Sequence, residues 1–222
     1  MKPYQSAFLE LALTHEVLRF GEFTLKSGRV SPYFFNLGKI SSGAAMRALG
    51  LAYAQALAES GIAYDMLFGP AYKGIPLVTA VACALADPGA GGRDVPYAYN
   101  RKEAKDHGEG GLLVGAPPKG RVVIVDDVLT AGTALREAVA LLRSTGAEPV
   151  AAVIALDRQE KGKSGRSAVQ EMEQDSGIRV IPLVTVQTLL EYLSQEGLSR
   201  GAVAPGVVSA IRAYQAQYGI SA

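Results

Sequence analysis

Cysteine is nearly absent from this sequence: Cys83 is the only one among 222 residues. A lone thiol closes no internal disulfide and completes no zinc cluster, so a disulfide scaffold and a cysteine-held metal are both excluded. Its place in the apolar run VTAVACALA predicts a buried core residue rather than a nucleophile. An excess of charge is missing too, since 22 Lys and Arg stand against 21 Asp and Glu. Without a basic field, nucleic acid is not the expected partner, and any bound anion must be gripped by a local set of groups. The tyrosines show no regular spacing with basic residues, which argues against a base-stacking surface. No apolar run approaches the roughly 20 residues of a membrane span. The opening MKPYQSAFLELALTHE carries acidic residues and lacks a signal peptide's long apolar centre. A soluble cytoplasmic protein without a membrane partner is expected. There is no GxxxxGK[ST] loop and no GxGxxG fingerprint. Repeats, low-complexity tracts and dividing linkers are absent as well, so residues 1–222 are expected to form one domain.

What is present alternates between two periods. Residues from Pro3 to about Glu16 suggest a helix, and FTLKSGRVSPYFFNL suggests two short strands around a turn. Residues 43–59 read as an alanine-rich helix ended by Gly61, followed by a short strand in YDMLFGP. A helix over about 74–86 and a strand in VPYAYNR come next. The polar KEAKDHGEGG then leads to a return strand near LLVG. RVVIVDD is a strand, and the helix at about 133–145 places Leu135, Ala138, Val139 and Leu142 on one face. EPVAAVIALD reads as a strand, SGRSAVQEMEQ as a helix and IRVIPLVTV as a strand, with helices near 187–195 and 206–218. Apolar strands alternating with helices imply an α/β fold with a mainly parallel sheet covered on both faces. Residues 1–40 and the C-terminal elements fit this alternation poorly. They are expected to form a small hood over a core of about 41–186.

In an open parallel sheet, ligands bind beyond the carboxyl ends of the strands. VVIVDDVLTAGTA, residues 122–134, puts Asp126 and Asp127 at such an end. Two adjacent carboxylates repel unless donors or a cation compensate them, and sugar hydroxyls are suitable donors. TAGTA follows at once: Thr130 and Thr133 offer hydroxyls, Gly132 permits close backbone approach, and the helix begins with unpaired N–H groups that suit an anion. An ordinary threonine-capped strand–turn–helix is the plainer alternative for this stretch.

The whole segment resembles the PRPP-binding motif of type I phosphoribosyltransferases, an apolar strand, two acidic residues and a T-A-G-T loop. That resemblance implies a type I phosphoribosyltransferase fold. It also implies that Asp126 and Asp127 hold the ribose hydroxyls, while Val128, Leu129, Thr130, Ala131, Gly132, Thr133 and Ala134 form the loop around the 5′-phosphate. GPAYKGIPL, residues 69–77, is similar to the family's pyrophosphate loop, with Tyr72 and Lys73 at the contact positions. The family often carries a strained non-proline cis peptide here, between Ala71 and Tyr72 in this chain.

YNRKEAKDHGEGG, residues 99–111, is on composition a solvated hairpin. It is also very similar to the catalytic lid of orotate phosphoribosyltransferases. By that resemblance Arg101, Lys102, Lys105 and His107 close on the leaving pyrophosphate, completing the site of a partner subunit in a homodimer. FTLKSGRVSPYFFN resembles the same family's base-binding segment, with Lys26 near the phosphates and Phe34 and Phe35 at the orotate. Adjacent strand residues face opposite ways, so at most one of those rings can stack on a base. ALDRQEKG ends a strand with Arg158, which the family uses on the orotate, and a guanidinium matches a carboxylate bidentately. Thr130 is implied at the base as well.

The resemblance runs from about residue 4 to 215. It implies PRPP and orotate as substrates, orotidine 5′-monophosphate and pyrophosphate as products, and Mg²⁺ held mainly by PRPP and water rather than by a protein cage. Two alternatives share the PRPP motif: a purine phosphoribosyltransferase, and a PRPP-sensing regulator without chemistry. The first is not expected to combine the FF segment, this lid and the strand-end arginine. The second is expected to lack an intact lid and to gain a nucleic-acid patch.

Overall fold

The structure is a computed structural model that describes the chain apart from Lys26, Gly91, residues 106–110, Ala131, residues 198–203, Pro205 and residues 221–222. It opens with helix α1 (Pro3–Thr14) and an antiparallel hairpin of β1 (Leu18–Thr24) and β2 (Val30–Phe35). Helix α2 (Gly43–Ser60) follows, with Ser42 accepting from the Ala45 N–H at its start and Gly61 left-handed at its end. Then come β3 (Met66–Gly69), α3 (Gly74–Ala86), β4 (Tyr97–Lys105), β5 (Gly111–Gly115), β6 (Arg121–Val125) and α4 (Thr133–Ser144). The chain closes with β7 (Glu148–Asp157), α5 (Ala168–Ser176), β8 (Arg179–Thr185), α6 (Val186–Tyr192) and α7 (Val207–Tyr218).

Six strands make one sheet in the order β5-β4-β3-β6-β7-β8, and every pairing except β4 with β5 is parallel. This is the mainly parallel sheet that the strand–helix alternation predicts, and it agrees with the fold that the motif's resemblance implies. Its core is split by the period of the strands. Val123 and Val125 of β6 pack with Leu49 and Leu57 of α2 and with Leu77 and Val81 of α3. Val122 and Ile124 point the other way, onto Leu135, Val139 and Leu142 of α4 and Met172 of α5. Each such side chain, fully removed from water, contributes roughly 1.5–3 kcal/mol before entropy is counted.

Four details differ from the sequence expectations. Strand β1 begins at Leu18, five residues earlier than the aromatic run suggests, because a bulge between Phe20 and Phe23 breaks its alternation at Gly21. Strand β4 runs on to Lys105, well inside the segment expected to be loop, because its far half pairs antiparallel with β5 rather than burying apolar faces. Helix α5 starts at Ala168 rather than Ser164, since Ser167 caps it by accepting from the Gln170 N–H. Cys83, expected in the core, is exposed. The buried arc of α3 runs through Gly74, Leu77, Val78, Val81, Ala82, Ala84 and Leu85, and position 83 falls outside it.

Candidate active site

The strand order fixes where a ligand fits. From β3 the chain crosses through α3 to β4 on one side, and later lays β6 against the other side of β3. The loops that leave β3 and β6 therefore diverge, and a crevice opens between them at the carboxyl ends of both strands. Among residues placed there, Lys73 and Asp127 meet across the switch point, Nζ to Oδ2 at 2.5 Å.

The loop after β3 is pressed flat against the sheet. A Cβ on Gly69 would lie 2.2 Å from the Gly74 carbonyl oxygen, and one on Gly74 would lie 2.9 Å from that of Val125. Only glycine allows this approach. The Ala71–Tyr72 peptide is cis, at the position the resemblance marks. The Ala71 N–H donates to Asn100 Oδ1 at 3.0 Å, tying the loop to β4. Tyr72 is 67% exposed, and Lys102 Nζ stands 5.1 Å from the centre of its ring.

The loop after β6 is held by its backbone. Asp126 N–H donates to Val153 O at 3.1 Å, and Ala155 N–H donates to Asp127 O at 2.8 Å. From α2, the buried Tyr53 hydroxyl donates to Asp126 O at 2.9 Å. The carboxylates turn inward as well. Asp126 Oδ1 accepts from the Asp127 N–H at 2.9 Å, and Asp127 Oδ1 accepts from the Val128 N–H at 2.8 Å. Burial raises the Asp126 carboxyl to about 6; the Asp127 charge adds to the rise, while the Asp127 N–H and Lys73 oppose it. This loop thus holds a carboxylate that is costly to ionise until a donor or cation arrives.

Val128 makes a parallel bridge to Leu156, Leu129 is partly buried, and Thr130 is exposed. Gly132 sits at φ 72° as the N-cap of α4, with no side-chain cap, and Thr133 and Ala134 are exposed in the first turn. The plain threonine-capped turn is therefore not what the chain builds. The first N–H groups of a helix have no partner within it, and Gly132 brings no side chain to cap those of α4. Ala131 lies outside the described residues.

Arg158 follows β7, the strand beside β6, so it belongs to the same end of the sheet. It is not a loose surface arginine. Its Nη2 donates to Ser31 Oγ at 3.0 Å, its Nε to Glu160 Oε1 at 2.6 Å, and its guanidinium lies 4.2 Å from the centre of the Tyr33 ring. Burial works against its charge, yet Tyr33 and Glu160 hold its pKa above the ordinary arginine value. Phe34 and Phe35 point to opposite faces of β2, as the strand period requires. Phe34 meets Phe23, with their ring centres 5.4 Å apart, while Phe35 meets Phe8 at 6.4 Å. The aromatic ring that touches Arg158 is that of Tyr33, between Pro32 and those two.

The remaining cations lie along the β4–β5 hairpin. Arg101 donates through Nη1 to Gly111 O at 3.1 Å. For Lys105 the backbone pairing with Gly111 is described. Lys26 and His107 lie outside the described residues. Among the described residues no group of three His, Cys, Asp or Glu side chains is arranged to hold a metal. Sequence reasoning did not find Tyr53, Asn100, Ser31, Tyr33 or Glu160. Only Glu160 left a trace, an acid two residues past the strand-end arginine.

The chain matches the Phosphoribosyl transferase domain family over residues 40–183. It is 57% identical over 223 aligned positions to an orotate phosphoribosyltransferase of Thioalkalivibrio sulfidiphilus, covering 99% of this chain and all of that one. With an orotate phosphoribosyltransferase of Pseudomonas aeruginosa it shares 54% identity over 220 positions, again 99% of this chain and all of the relative. A crystal structure of the Francisella tularensis orotate phosphoribosyltransferase superposes with a TM-score of 0.83 at 41% identity, over 96% of this chain and 98% of that one.

Proposed function

The chain belongs to the orotate phosphoribosyltransferase family, and from that premise and the crevice at the β3–β6 switch point we propose that it transfers the 5-phosphoribosyl group of PRPP to orotate. The observation that carries this reading is the Lys73–Asp127 pair, whose aspartate lies on the loop that leads into the uncapped start of α4. One crevice then holds a cation for pyrophosphate, carboxylates for sugar hydroxyls and amide donors for the 5′-phosphate. In this reading N1 of the base gives up its proton to solvent and bonds to the anomeric carbon as the bond to pyrophosphate breaks, and the leaving group takes the electron pair.

Positive charge grows on the sugar and negative charge on the pyrophosphate, so the protein's task is placement and electrostatics rather than covalent chemistry. Asp126 and Asp127 accept the ribose hydroxyls, which releases Lys73 from Asp127 toward the pyrophosphate. The loop from Val128 to Ala134 encloses the 5′-phosphate, with Thr130 also reaching the base. Lys26, Arg101, Lys102 and Lys105 add positive charge at the leaving group, Tyr72 lines it, and His107 donates a hydrogen bond or proton. Arg158 pairs with the orotate carboxylate beside the backbone of Phe34 and Phe35.

Mg²⁺ suits this donor set. The acidic pair offers hard oxygens through the ribose hydroxyls it holds, and such an ion keeps most of its waters instead of needing a protein cage. Held with PRPP beside Asp126 and Asp127, such an ion would supply positive charge to offset the negative charge growing on the leaving group. We place the β1–β2 hairpin, α1 and the C-terminal elements as a hood over the base end of a single domain with a core of about 41–186. We also assign the chain to a cytoplasmic homodimer that takes no nucleic-acid partner and lends its lid across the interface. No helix among the described residues is long and apolar enough to cross a membrane.

Base competition tests the reading. Purified protein with PRPP and Mg²⁺ is expected to release pyrophosphate with orotate and not with adenine or hypoxanthine. Release with a purine alone would overturn it.

A further inference from the structure

Beside the proposed base site lies an ion triad that the reaction as described leaves without a task. Glu160 Oε1 is 2.6 Å from the Arg158 guanidinium, and Glu160 Oε2 is 3.5 Å from Arg29 Nη1. All three side chains are largely covered, with 15% of the glutamate exposed, 19% of Arg158 and 27% of Arg29. A carboxylate costs too much to cover unless it is paired and hydrogen-bonded, so its position between two guanidinium groups is specified rather than incidental.

The backbone is shaped to deliver it. Gln159 takes a left-handed conformation at φ 51°, sparsely populated for a residue with a side chain. That step turns Glu160 back onto Arg158. The turned segment is then laced to the end of α7: Lys161 N–H donates to Tyr218 O at 2.7 Å, Ile220 N–H to Gln159 O at 2.9 Å, and Gln215 Nε2 to Arg158 O at 3.1 Å. Arg29, from the turn of the N-terminal hairpin, donates to Lys161 O at 2.9 Å and lies 4.8 Å from the centre of the Tyr218 ring. Arginines from two distant parts of the chain thus meet on one carboxylate, and the end of α7 holds the backbone that carries it.

We propose that Glu160 is a positioning residue that sets base specificity: it holds the Nε and Nη2 side of the Arg158 guanidinium and so turns Nη1 toward the carboxylate of the incoming base. A charge-assisted hydrogen bond needs its N–H aimed at the carboxylate oxygen. Left free, the guanidinium would sample many orientations and lose that aim. Glu160 Oε1 accepts from Nε and lies 2.6 Å from Nη2 as well, Ser31 accepts from Nη2, and the Tyr33 face fixes the plane. The charges agree with this assignment. Two arginines and one glutamate sum to one positive charge, which one carboxylate neutralises. The inference rests on the reading of Arg158 as the orotate partner.

Two variants and one pair of ligands test it. The ligands are orotate and its neutral carboxamide, compared as substrate and as competitive inhibitor. Glu160→Gln keeps the shape but turns an N–H-bearing atom toward one arginine. It is expected to raise the orotate KM about tenfold, to cut the preference for acid over carboxamide about tenfold, and to leave the PRPP KM within about twofold. Arg158→Ala should abolish that preference. If Arg158→Ala keeps the preference, the reading of Arg158 fails first. If Arg158→Ala loses it while Glu160→Gln keeps it within about twofold, the role of Glu160 is refuted alone. A Glu160→Gln protein that binds orotate more tightly would also refute it, showing that added positive charge outweighs orientation. So would equal losses for orotate and PRPP, the mark of a merely structural residue.

Discussion

Asp126→Asn tests the physical core of the site, since the structure makes that carboxylate a burden on the ligand-free fold. Burial and the neighbouring Asp127 charge lift it from the ordinary 3.8 to about 6. At 1.36 kcal/mol per tenfold change in proton affinity, the ionised form costs the folded chain about 3 kcal/mol as an upper figure. The sign follows from linkage. Below pH 4 the carboxyl is protonated whether the chain is folded or not, and Asp and Asn are nearly equivalent. Between pH 4 and 6 the unfolded chain releases the proton while the folded chain keeps it. Wild-type stability then falls relative to the variant by about 1.4 kcal/mol per pH unit. Above pH 6 both states are ionised and the full gap persists. The amide oxygen of the substituted side chain can still accept the Asp127 N–H, so the local turn survives.

Urea denaturation at pH 5 and pH 8 measures the effect. The variant is expected to be the more stable protein at pH 8, with its advantage growing by about 1.4 kcal/mol over that interval. PRPP, which binds only the folded chain, should raise the midpoint of the wild type and fail to raise that of the variant. Equal or lower stability of Asp126→Asn at pH 8 would refute the account of this carboxylate as a strained, waiting acceptor.

Tyr53→Phe deprives Asp126 O of its only donor from α2 and should cost about 1–3 kcal/mol in urea, with a rise in PRPP KM. Unchanged stability and KM would show that water replaces the hydroxyl. Gly69→Ala drives a Cβ onto the Gly74 carbonyl oxygen and to within 2.6 Å of Val78 Cγ1, and should lower stability by about 1–3 kcal/mol or more. A thermal midpoint equal to wild type would contradict that packing. Lys105→Ala should lower kcat at least about a hundredfold with circular dichroism and melting unchanged, and near-normal turnover would remove the lid from the mechanism. Mixing a Lys102→Ala protein with an Asp126→Asn protein should restore part of the activity if sites are shared between subunits. No recovery despite subunit exchange would mean self-contained sites.

The sheet was legible because each central strand is buried on both faces and reads as a continuous apolar run, so 122–125 and 149–156 admit little else. Asp126, Asp127 and Gly132 were legible for a related reason: a charged pair closing such a run is anomalous unless something compensates it. Other features carry no local mark. Tyr53 sits in an alanine-rich helix like any core residue, and its hydroxyl matters only because α2 crosses the end of β6. Cys83 looked buried because its neighbours are apolar, yet a helix buries an arc, and one residue's rotation of about 100° put the thiol outside it. The bulge at Gly21 hid the start of β1 by interrupting a period of two. Arg158 lies between these cases. Its position after a strand pointed to the ligand end, but its orientation depends on Ser31, Tyr33 and Glu160. Of these only Glu160 is near it in sequence, and even that contact needs the left-handed step at Gln159. A motif therefore tells which residues arrive at the crevice, while the direction in which a guanidinium presents its donors is set by packing from three separate parts of the chain.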